Sequence, residues 1–95
     1  MSLQELTSKY ISMAEKVFSE LTKNKAPISV SGEMMASVLS YAMDYLEDAK
    51  YYKVQGNLET SLTSVAYCEG LLDALRLIGA VNFEWATNQE NKKLS

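Results

Sequence analysis

The chain has 95 residues, 47% of them hydrophobic and 22% charged, with nine basic against twelve acidic side chains for a net charge of −3. That length holds one modest core and is too short for two, and the balance is that of a folding chain rather than a disordered one. With no histidine and a single cysteine, serine–histidine or cysteine–histidine nucleophilic machinery and structural zinc are both excluded, and no apolar run approaches the roughly 20 residues of a membrane span.

In the N-terminal segment Leu3, Leu6, Tyr10, Met13 and Val17 recur at alternating three- and four-residue steps, widened by Ile11, Ala14, Phe18 and Leu21. This predicts a first helix from about Ser2 to Asn24. KAPISVSG follows, and helix cannot continue through Pro27. Ser31 or Ser29 is the expected N-cap of the next helix, with Glu33 favouring its positive end.

From residue 33 to about 55 the set Met35, Val38, Ala42, Tyr45, Ala49 and Tyr52 keeps the same rhythm, flanked by Leu39 and Leu46. Gly56-Asn57 then reads as a turn, the glycine closing one helix in the left-handed conformation and the asparagine capping the next. So short a link makes the third helix, 58 to 78, antiparallel to the second. Its stripe runs Leu58, Leu62, Val65 and then Leu72, Leu75, Ile78, bridged by Cys68 and Leu71. Beyond Gly79, AVNFEW alternates apolar and polar, and Phe83 and Trp85 are costly to leave in water, so an extended segment is expected to fold back on the helices. Residues 87–95 read as a polar tail.

The expected architecture is therefore all-α: a three-helix up-and-down antiparallel bundle over residues 1–86, with a short extended C-terminal segment. A tetratricopeptide reading of AKYYKVQGNLETSLTSVAYCEGLLDA fails on period, since the second helix is too long for that repeat. Without a basic-then-apolar leader, the expected location is the cytoplasm.

Charge is unevenly spread. Between Asp44 and Asp73 six acids face Lys50 and Lys53, so that stretch carries −4 and repels phosphate backbones, which disfavours nucleic acid as a partner. On the third helix Glu69, Asp73 and Arg76 share a face, and on the second Tyr41, Asp48 and Tyr52 border the core. Antiparallel pairing places Tyr45 near Cys68 and Glu69, and Tyr41 near Leu72 and Asp73, where tyrosine hydroxyls can donate to the carboxylates. The chain has six tyrosines, and neighbours such as Tyr51 and Tyr52 must diverge on a helix, so some stand at a surface. The residues Tyr41, Tyr45, Asp48, Tyr52, Tyr67, Glu69, Asp73 and Arg76 thus form a candidate interaction surface for a protein partner or a second copy.

The competing reading is a magnesium-dependent nucleotide hydrolase using Asp44, Glu47, Glu69 and Asp73, since hard cations take oxygen ligands from adjacent helices. The four-residue step from Glu69 to Asp73, with Arg76 beside it, argues against it. No catalytic, metal or cofactor residue is assigned, and Cys68, among apolar neighbours, reads as a small buried hydrophobe.

The stretch YLEDAKYYKVQGNLETSLTSVAYCEGLLDALRLIG carries Tyr45, Asp48 and Tyr52 ahead of Gly56, then Tyr67, Gly70, the run Leu72 to Leu75, and Gly79, with Trp85 beyond. In this it resembles a family of short archaeal proteins known as domain of unknown function 357, over about residues 40–85. The resemblance implies a left-handed three-helix up-and-down bundle in an archaeal cytoplasm, with no established activity. It also implies an accessory module, because similar domains are fused to nucleotidyltransferase-like domains. Asn57 departs from the acidic residue expected after the turn glycine; the cap survives, and a carboxylate role there is lost.

Overall fold

A computed structural model describes residues 2–86. The chain is all-α: α1 spans Leu3–Glu20, α2 Gly32–Val54 and α3 Leu58–Leu77, and no strand occurs among the described residues. The expected polar tail, 87–95, lies outside the described residues.

Each helix begins where a short polar side chain can take up an orphan amide. The Ser2 hydroxyl accepts the Glu5 N–H at 3.0 Å and donates to the Glu5 carboxylate at 3.1 Å. Ser31, one of the two expected caps, accepts the Met34 N–H at 3.1 Å, and the Asn57 side chain accepts that of Thr60 at 3.3 Å. The ends of α2 and α3 share one device. Gly56 and Gly79 both have φ of +80°, and after each of them the chain turns back: Asn57 N–H bonds the Tyr52 carbonyl and Ala80 N–H that of Leu75, both at 2.9 Å.

A Cβ at Gly56 would meet nothing within 4 Å, so only the left-handed backbone resists substitution there. Gly56→Ala is therefore expected to lower stability by about 1 kcal/mol, read from a urea midpoint, without changing helix content. The first helix has no such glycine. Leu21 turns to extended backbone at φ −66°, ψ 148°, so α1 stops four residues short of Asn24, the expected end.

α2 and α3 pack along each other as an antiparallel hairpin, while α1 makes no close backbone approach to either. The buried side chains are Ala42 (2% exposed), Ala49 (6%), Cys68 (5%) and Leu75 (3%). Small residues on this seam bring the backbones close enough for the Ser61 hydroxyl to donate to the Ala49 carbonyl at 2.7 Å. By contrast Leu58, Leu62 and Ile78, expected in the buried stripe of α3, are exposed, as are Leu3, Leu6, Tyr10, Met13 and Val17 of α1. The apolar stripe of α1 exists as the periodicity requires, with no helix laid against it.

The hairpin has two unlike sides. Tyr41 and Met43 lie about 100° to either side of buried Ala42, and Tyr67 and Glu69 do the same around Cys68. One side carries Val38, Tyr41, Tyr45, Tyr67 and Leu71. On the other, more aliphatic side Leu39, Met43 and Leu62 are exposed.

Candidate functional site

The aromatic side is built by helical spacing. Tyr41 and Tyr45 are one turn apart on α2, and the tight Gly56 turn brings Tyr67 of α3 across from them. The Tyr45 and Tyr67 rings stack, with centroids 4.3 Å apart and planes 29° from parallel. Tyr41 and Tyr67 keep 63% and 55% of their surface in solvent. Together with Val38 and Leu71 they line an open groove of about 190 Å³, with no cationic side chain in its wall. Exposed Asp48 follows one turn after Tyr45 on the same flank. Half-buried Tyr52 closes that flank, edge-on to Tyr51 at 5.2 Å and 79°, as two tyrosines diverging from adjacent positions must be.

Glu69, Asp73 and Arg76 are placed elsewhere. Asp73 Oδ1 accepts from Arg76 Nη2 at 2.7 Å and Nε at 3.0 Å, and from the Trp85 indole N–H at 3.1 Å. The Arg76 guanidinium lies 5.9 Å above the Phe83 ring, and Phe83 meets Trp85 edge-on at 4.8 Å. The segment after Gly79 thus returns along α3, as its two large aromatics require, clasped by one carboxylate. Glu69 is exposed beside it, with Ala66, Gly70, Asp73 and Trp85 around a shallow depression.

The eight candidate residues therefore form two groups rather than one flank. The expected opposition of Tyr45 to the Cys68 region is present, but its neighbour is Tyr67 rather than Glu69. These two residues lie on opposite sides of Cys68, and the seam admits only one of them to the tyrosine side. Asp73, expected to meet Tyr41, is instead held by Arg76 and Trp85. Val38 and Leu71 belong to the apolar stripes of α2 and α3, and their place in the groove wall depends on which flank of each helix stays uncovered. Trp85 as the partner of Asp73 did carry a signal, since an indole N–H on a docked segment needs an acceptor.

The Arg76 hydrogen bonds, then that of Trp85, hold the Asp73 carboxyl below its ordinary value, against a smaller opposing effect of desolvation. A depressed pKa means that the clasp contributes stability above the ordinary carboxylate value of about 3.9 and loses it as pH falls through the lowered folded value. Trp85 is the sole tryptophan, so its fluorescence reports the clasp directly. Its emission is expected to shift to the red on acidification below about pH 3.9, and Asp73→Ala should show the released emission already at neutral pH.

The residues of the competing metal reading do not converge. Glu47 pairs with Lys50 at 3.1 Å and Asp73 with Arg76, and among the described residues no three acidic, cysteine or histidine side chains gather to hold an ion. Cys68 is buried, and that burial, followed by the Glu69 charge, pushes its thiol pKa up. No helix among the described residues is long and apolar enough to cross a membrane.

Comparison with known proteins gives a family and no activity. No curated protein and no solved structure matches the chain significantly. A family profile described as protein of unknown function (DUF357) matches residues 9–81, from the second turn of α1 to just past the glycine that closes α3. That span covers more than half of the chain and includes every residue of the aromatic groove, so the chain belongs to the DUF357 family.

Proposed function

We propose that this protein is a non-enzymatic interaction module, acting as an accessory to a protein partner through the aromatic side of the α2/α3 hairpin. The observation that carries the reading is the groove between Tyr41 and the stacked Tyr45–Tyr67 pair, two of whose three rings remain more than half exposed. Tyrosine offers a large, stiff, amphipathic contact at low conformational cost, and such rings in a pocket are the residues on which interfaces concentrate their energy. The remaining chemistry suits this role, because Asp73 is engaged by Arg76 and Trp85 and the chain has no histidine to act as a base. By family analogy, a nucleotidyltransferase-like protein in the cytoplasm is the partner class to try first.

The test is a comparison of the wild-type chain with a Tyr41→Ala/Tyr67→Ala double variant. Proteins retained from a native extract by the wild type are identified, and the affinity of the principal one is measured for both. Loss of about tenfold or more in affinity, equivalent to about 1.4 kcal/mol, with unchanged helical circular dichroism is the expected result. Equal affinity for the two chains would sink the reading.

A further inference from the structure

We infer that the occupant of the aromatic groove is an arginine-bearing segment of the partner protein. This rests on the interaction reading above and adds to it the chemistry of what binds. The groove offers ring faces: Tyr67 is half exposed and Tyr41 has no aromatic partner among the described residues. Just outside the five residues that line the groove, Asp48 lies one turn from Tyr45 on the same flank of α2, and Asp44, one turn from Tyr41, stands further round toward the outer face of the helix. Both carboxylates are exposed and neither has an ion-pair partner among the described residues.

The cations of the hairpin are engaged or placed elsewhere. Arg76 is held by Asp73, Lys50 by Glu47, and Lys53 sits at the far end of α2 in its last turn. The two aspartates are four residues apart, so they repel each other on the outer slope of this flank, and neither is in an ion pair among the described residues. A cation brought by a partner relieves that repulsion. Among cations, guanidinium fits best: it is planar, stacks on tyrosine rings, and can donate two parallel bonds to a carboxylate beside them. An ammonium shares the charge but neither the plane nor the fork.

The experiment titrates the full-length isotope-labelled chain with a twelve-residue peptide of glycine and serine carrying four arginines, and with its lysine and glutamate counterparts. The arginine peptide is expected to move the amide resonances of Tyr41, Asp48 and Tyr67. The lysine peptide should bind at least about threefold more weakly and the glutamate peptide not at all. Asp44→Asn/Asp48→Asn, at two exposed positions, should loosen the arginine peptide about tenfold and flatten its salt dependence. Equal shifts with the glutamate peptide, or arginine-induced shifts centred on Glu59 and Glu69 instead, would overturn the inference.

Affinity for the partner separates the two levels of the argument. If Asp44→Asn/Asp48→Asn binds the partner as wild type while Tyr41→Ala/Tyr67→Ala does not, arginine recognition falls and docking on the groove stands. If both variants bind as wild type, both fall.

Discussion

Leu75→Ala is expected to cost about 2–5 kcal/mol of folding stability, the range for removing a fully enclosed leucine. Leu75 is 3% exposed and is the one large aliphatic side chain among the four that are buried at the seam. Cys68 reports the outcome independently, lying two turns before Leu75 on the same face of α3. Its thiol is buried and under-ionised, so a thiol reagent reacts when the seam opens. Loss of 2 kcal/mol should speed labelling by about 30-fold where opening and closing are fast relative to reaction. A urea midpoint within 0.5 kcal/mol of wild type by linear extrapolation, with unchanged labelling, would show that the seam does not carry the stability, taking that figure as roughly the size of an ordinary surface substitution.

Ala42→Leu is the complementary test, adding volume where Leu75→Ala removes it. Ala42 is the most buried of the described residues at 2% exposure, and it stands where the two backbones approach. Leucine is nearly as good a helix former as alanine, so any substantial loss comes from packing rather than from local propensity. The extra methylenes must push α3 away, stretching the Ser61 to Ala49 bond further along the seam, with an expected cost of about 1–3 kcal/mol. Ala36→Leu, at an exposed position on the same helix, is the control and should melt within a degree or two of wild type. Equal melting temperatures for the two variants would mean that α2 and α3 are not in close contact in solution.

The helices and their ends were largely legible in the sequence because their causes are local. Ser31, Gly56, Asn57 and Gly79 act through their own backbone neighbours, and each does what its residue type predicts. The end of α1 was not legible to the same degree, because Leu21, Thr22 and Lys23 carry no stop signal and the apolar rhythm runs on past Glu20. Burial was harder still. Periodicity marks Leu58, Leu62, Cys68 and Leu75 alike, yet the seam encloses only the last two, since which arc of an apolar stripe is covered depends on where a neighbour lies. The same indeterminacy governs the site. A shift of one position around α3 exchanges Tyr67 for Glu69 beside Tyr45, and composition does not decide between stacking and hydrogen bonding. What the sequence did make plain is that tyrosines and acids outnumber the places a small core has for them.

Residues 21–31 join α1 to the hairpin, and their length has a consequence for competition. Eleven residues can span at most about 40 Å, more than the roughly 30 Å length of α3, so the tethered helix can sweep the whole aliphatic side. Tethering presents α1, which rests against neither helix in this structure, to that side at an effective concentration in the millimolar range. A free helix of equal intrinsic affinity would have to reach that concentration to displace it, far above ordinary levels of a cellular protein. Any outside helix that seeks the aliphatic side therefore competes with a tethered rival before it binds.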